Sequence, residues 1–154
     1  MIPSMDKILV TTDFSEMANR AVPHAYAAVS PGGEVHLIHV IEHQDVPSPL
    51  YAHYSPDQLH IPEKRKEVAE KVEAELKALI PSDAAQKQLK TKVEAVFHPQ
   101  VAEGVLKEAA GRKVDGIVIG SHGRSGLVHL LMGSVAVKIL QGSTVPVLIV
   151  PNKK

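Results

Sequence analysis

Gly120, Gly123, Gly133 and Ser134 stand in the spacing G-x2-G-x9-G-S within the stretch GSHGRSGLVHLLMGSVA, residues 120–136. The stretch follows DGIVIG (115–120), a compact apolar run, and ends where a helical apolar pattern begins. Glycine permits backbone conformations that a side chain would block and lets a ligand approach the main chain. Gly133-Ser134 opens a helix, whose free N–H groups and positive dipole end attract anions. Ser134 adds a hydroxyl that can bond a phosphate or help hold a metal ion. A strand, a glycine loop and a helix N-terminus together describe a phosphate cradle. Glycines after a strand also serve plain turns, so the spacing carries this reading and the count does not.

Neighbouring side chains are less decisive. Arg124, inside the loop, can donate charge-assisted hydrogen bonds to phosphate oxygens or stay solvated. Lys138 lies a turn into the last helix and reads as a surface residue. His122 can touch phosphate or hold the loop's shape, but general acid/base work needs a partner that the sequence does not identify. Ser121 and Ser125 are loop hydroxyls with no Ser–His–acid arrangement around them. There is no GxxxxGK[ST], no SGGxDS-type pyrophosphatase loop and no HxGH adenylyl-transfer motif. Binding is therefore better supported than turnover, and no catalytic residue is assigned. Of the nine histidines, His36 and His39 are three apart on a strand and point to opposite faces. His43, His53 and His60 show no ligand spacing, so no metal site is assigned.

The elements that must position this loop read in order. Residues 7–12 (KILVTT) form a strand, and a helix follows with Ser15 as cap and Ala18, Ala21, Val22, Ala25 and Val29 inward. Pro23 predicts a bend in that helix or a late start. SPGGE (30–34) is a turn, and EVHLIHVIE (34–42) a strand buried on both faces. Residues 43–60 are irregular and rich in Pro, His and Tyr, a lid or a docking surface. A helix over about 62–80 has Pro62 in its first turn, an apolar stripe of Val68, Val72, Leu76 and Leu79, and the pairs Glu67–Lys71 and Glu73–Lys77. A half-buried strand (91–98), a helix (101–113), the strand 115–120, a helix from Ser134 to about Gln141 and a last strand (145–151) complete the order. Strands alternating with helices predict a doubly wound α/β domain over residues 1–154, with a five-stranded parallel sheet covered on both faces. Ligands of such sheets sit at the carboxyl ends of the strands.

Composition narrows the class. The chain has 154 residues, 44% hydrophobic and 22% charged, as in ordinary globular domains. Its 17 basic and 17 acidic residues cancel, and aromatic content is 3%. Both disfavour nucleic-acid binding. There is no cysteine, hence no disulfide framework or thiolate site, which suits a reducing cytoplasm. No apolar run approaches the roughly 20 residues that span a bilayer, and no signal-peptide layout opens the chain.

The G-x2-G-x9-G-S spacing resembles the nucleotide-binding motif of the universal stress protein family. KILVTTDFSE (7–16) looks like that family's first strand and turn, LIHVIE (37–42) like its second strand and TVPVLIVP (144–151) like its last. The resemblance implies a Rossmann-like fold of the adenine nucleotide α-hydrolase type, with ATP, ADP or AMP as ligand and Mg²⁺ or Mn²⁺ on the phosphates. It further implies that Asp13, with the backbone of Thr11 and Thr12, meets ribose and adenine, and that Val40 faces adenine through its main chain. Gly120 would approach the ribose and Gly123 would admit the phosphates. Gly133, Ser134 and Val135 would bind phosphate. Thr11 stands where some nucleotide binders carry proline. The family reading is a regulatory, stress-response nucleotide-binding module, homodimeric through the edge strand 145–150. The alternative is a slow ATPase or adenosine-phosphate hydrolase built on Ser134, Asp13, Arg124 and a metal. Because only main-chain contacts to the base are implied, little discrimination between ATP and GTP is expected.

Overall fold

A computed structural model describes residues 3–42, 48–123 and 132–152. Five strands, β1 (Lys7–Thr11), β2 (Glu34–Ile41), β3 (Lys90–Phe97), β4 (Gly116–Gly120) and β5 (Val147–Val150), form one sheet in the order β3-β2-β1-β4-β5. Every pairing is parallel. The chain winds outward from β1 in one direction and then returns to wind out the other way, so the carboxyl ends of β1 and β4 diverge at the middle of the sheet.

Helices cover both faces, as a parallel sheet requires. On one face Ile8, Val10, Val35, Leu37 and Ile41 pack with Val22 and Ala25 and with Val68, Val72 and Leu76. The helices there are α2 (Ala21–Ala28) and α3 (Pro62–Ala78). On the other, Leu9, Ile38, Val40, Ile117 and Ile119 meet Val105 and Ile139, from α4 (Val101–Arg112) and α5 (Ser134–Gly142). The period-2 alternation of β1 and β2 thus serves two cores at once.

The first helix breaks at Arg20, three residues before Pro23, in keeping with the bend or late start that the proline predicts: α1 (Glu16–Asn19) ends where α2 begins. Pro23 is the third residue of α2, where a backbone N–H would have no partner within the helix, so its absence costs little. Glu67 does not pair with Lys71; it accepts from Tyr54 Oη at 3.0 Å and lies 3.5 Å from Lys64 Nζ. The described part of the irregular stretch is anchored to the core. Tyr51 and Leu59 are buried in the α2–α3 core, and Gln58–His60 form a 3-10 turn leading into α3.

Candidate functional site: the cleft at the carboxyl end of the sheet

The end of β1 supplies the first wall. Thr12 continues the strand by donating its amide to Ile38 O at 3.2 Å, after which the chain turns sharply through Asp13 and Phe14. Phe14 has φ 68°, a left-handed conformation costing about 1–3 kcal/mol for a side chain of this bulk. Side-chain bonds hold it there. Phe14 N–H donates to Thr12 Oγ1 at 3.0 Å, and the Thr12 hydroxyl donates to Asn19 Oδ1 at 2.6 Å. Asp13 Oδ1 accepts from Ser15 N–H at 2.9 Å, while Ser15 Oγ caps α1 at Ala18 N. One carboxylate oxygen of Asp13 is therefore engaged in fixing the turn.

The end of β4 supplies the opposite wall. A Cβ on Gly120 would lie 3.2 Å from Met17 O and 3.3 Å from Ala18 Cα, so the missing side chain lets β4 tuck under α1. At Gly123 a Cβ would lie 2.6 Å from Asp13 Oδ2, a separation that real atoms do not adopt. The bare face of Gly123 is the room in which the Asp13 carboxylate sits. Ser121 ties this corner together: its amide donates to Val150 O at 2.9 Å and its Oγ accepts from Asn152 N–H at 3.1 Å. His122, buried, places Nδ1 2.9 Å from the same Oγ.

Two helix starts face the space between. No side chain caps α5, and Val137 is the first of its residues to donate within the helix, to Gly133 O at 3.1 Å. The amides of Ser134, Val135 and Ala136 make no hydrogen bond to the described residues. The Gly133 amide, assigned above to phosphate, is instead donated to Ser121 O at 2.7 Å. It closes the glycine loop at its base. The first turn of α4, from Gln100 through Ala102, forms the floor.

Together these parts enclose a cleft of about 540 Å³, within the roughly 300–1,000 Å³ of small-molecule sites. Thr11, Thr12, Asp13, Val40, Gly120, His122, Gly123, Gly133, Ser134 and Val135 all line it. Arg124 and Ser125 lie outside the described residues, as does His43. Lys138 is exposed on the rim. Thr12 contributes less main chain than expected, because its amide goes to Ile38 and its carbonyl accepts from His39 Nδ1 at 2.8 Å.

That last bond involves a residue passed over in the sequence except as a metal ligand. His39 is 4% exposed and lines the cleft. A carbonyl can only accept, so Nδ1 carries the proton and donates to Thr12 O, while Nε2 shares a hydrogen bond with the Tyr51 hydroxyl at 2.8 Å. Its strand position showed that it is buried opposite His36; nothing local showed its partners. Among the described residues no group of three His, Cys, Asp or Glu side chains could hold a metal ion, and no helix is long and apolar enough to cross a membrane.

Comparison with known proteins gives this geometry a lineage. Universal stress protein MJ0577 of Methanocaldococcus jannaschii is 33% identical over 161 residues, covering 96% of this chain and 95% of its own. Its solved structure superposes with a TM-score of 0.76 over 99% of both chains, at 29% identity. The same fold recurs in a universal stress protein solved in complex with cAMP (20% identity, TM-score 0.63, 98% and 100% coverage). It recurs again in an Arabidopsis thaliana universal stress family protein solved with AMP bound (13% identity, TM-score 0.58, 98% and 93% coverage). The sequence profile of the universal stress protein family matches residues 5–151, from the residues leading into β1 to the end of β5. With the family profile spanning all five strands and a relative matched over 95% of its length, this chain belongs to the universal stress protein family.

Proposed function

We propose that the chain binds an adenine nucleotide, ATP or its ADP and AMP relatives, in this cleft and serves as a cytoplasmic regulatory module. One observation carries the reading. The unbonded amides of Ser134 and Val135 open on the same cleft as Asp13, whose carboxylate occupies the bare face of Gly123. Anions favour the first feature and sugar hydroxyls the second. The cAMP and AMP held by two proteins of this fold support the choice of adenine. In this assignment Asp13 faces the ribose, the main chain of Val40 faces the base, and Ser134 and Val135 meet phosphate. A Mg²⁺ or Mn²⁺ travelling with the phosphates would find the Ser134 hydroxyl and one carboxylate, with phosphate oxygens and water completing its shell.

The features that carry the reading, unbonded amides and a carboxylate fixed by its turn, are features of binding, and the reading is of a module that holds its nucleotide. Calorimetric titration with ATP, AMP and cAMP tests the reading, with at least one binding and Asp13→Ala weakening it about tenfold, the size of one lost charge-assisted bond. No heat from any of the three at millimolar concentration overturns it. Phosphate release that scales with protein and vanishes in Asp13→Ala would put the hydrolase alternative in its place. The reading includes a homodimer through β5, supported by that strand's position at the sheet edge.

A further inference from the structure

A histidine in the middle of a hydrophobic face calls for a reason. β2 presents Val35, Leu37 and Ile41 to the α2–α3 core, and His39 falls in the same alternation. A leucine there would bury more apolar surface. What leucine cannot do is hydrogen-bond from both edges of its side chain, and His39 does so. Its Nδ1–H reaches Thr12 O, the carbonyl directly before Asp13, and its Nε2 shares a hydrogen bond with the Tyr51 hydroxyl. The Phe14 ring, directly after Asp13, lies 4.7 Å from the imidazole. His39 therefore grips the residues on both sides of the carboxylate. Tyr51, 4% exposed, comes from the stretch after β2. With Ser48 it brings that stretch to the cleft.

We propose that His39 is a positioning residue for the Asp13 carboxylate, oriented by Tyr51, so that the segment around residue 51 sets nucleotide affinity through the chain Tyr51–His39–Thr12. The inference rests on the nucleotide reading above and deepens it at the ribose. If Thr12 O loses its donor, the turn relaxes and Asp13 drifts from the place that Gly123 leaves open. The ribose contact weakens and the phosphate contacts do not.

The test compares ATP with 2′,3′-dideoxy-ATP by calorimetry in the wild type, His39→Gln, His39→Asn and Tyr51→Phe. Asparagine places its amide nitrogen where Nδ1 stood; glutamine places it where Nε2 stood. The wild type is expected to prefer ATP about tenfold, as one hydrogen bond to a charged group allows. In His39→Gln the preference should fall to about twofold or less while dideoxy-ATP binds as before. His39→Asn, which keeps the donor to Thr12 but not the Tyr51 bond, and Tyr51→Phe, which deletes a single hydroxyl, should each reduce it only about threefold. A purely structural role would weaken both ligands alike. A preference surviving intact in His39→Gln, or in Tyr51→Phe should the glutamine variant not fold, overturns the inference and leaves the nucleotide reading standing. Equal binding of the two ligands by the wild type overturns it at the ribose. No binding of either overturns the nucleotide reading and this inference with it.

Discussion

Gly123 and Asp13 share one small volume. A methyl group on Gly123 would stand 2.6 Å from Asp13 Oδ2, so even alanine forces the carboxylate aside. Gly123→Ala is expected to weaken adenine nucleotide binding about tenfold in calorimetry, with a circular dichroism spectrum and melting temperature close to wild type; unchanged affinity would show that the shared volume does not matter to the ligand. Spacing brought Gly123 to notice, with the reason that a ligand must approach it, and Asp13 came only with the family resemblance. The neighbour that requires the glycine is a side chain from the turn after β1, 110 residues earlier. Such pairings leave no local trace. For the same reason the engagement of the Gly133 amide with Ser121, and of His39 with Thr12 and Tyr51, could not be read from pattern. What was legible was residue chemistry that repeats along the chain: a serine able to cap α1, a proline at the start of α3, and bare backbone between β4 and α5.

Elements follow apolar periodicity closely where they are buried and less closely where polar groups intervene. The strand β2 was expected to be buried on both faces, and it is, yet it carries two histidines with opposite fates. On the face away from His39, His36 is 3% exposed and Nδ1 accepts from Arg112 Nη1 at 3.0 Å. Arg112, in the last turn of α4, also holds Glu108 Oε2 at 3.0 Å and pairs with Glu94 of β3, while its carbonyl accepts from Lys7 Nζ at 3.0 Å. Across the ring, His36 Nε2 and Glu34 Oε2 stand 3.8 Å apart, each buried without a hydrogen-bond partner among the described residues. Burial holds the imidazole below its ordinary range; Arg112, Lys92 and Lys7 push it further down, and Glu34 opposes them. Above about pH 6.5 the ring is neutral in both folded and unfolded chains. Below it the unfolded chain takes up a proton that the folded chain refuses, so stability declines as the pH falls toward the depressed folded value. Thermal melts between pH 7.5 and 5.5 should show the wild type losing a few degrees more than His36→Gln. Parallel decline would mean that other groups carry the acid sensitivity.

For the whole molecule, the strand order sets two unlike edges. β3 exposes Lys90, Lys92 and Glu94, charges that discourage a second sheet from pairing there. β5 exposes Leu148 at 45% and carries no charge. A second copy aligned along β5 would remove that hazard, and Leu148→Lys is expected to convert a dimer to a monomer in light scattering at micromolar concentration. A wild type that is already monomeric under those conditions excludes the β5 dimer. Ser121 joins this edge to the glycine loop through Val150 and Asn152, so pairing at β5 and order at the cleft draw on the same residues. The walls of the cleft come from stretches around residues 12, 40, 50, 100, 121 and 135, which meet only when all five strands are in register. An unfolded chain has no fragment of it to offer. Mass action then makes any occupant a guardian of the fold: at a hundred times its dissociation constant it adds about 2.7 kcal/mol. A fall in the supply of that occupant would therefore show as faster proteolysis of the protein.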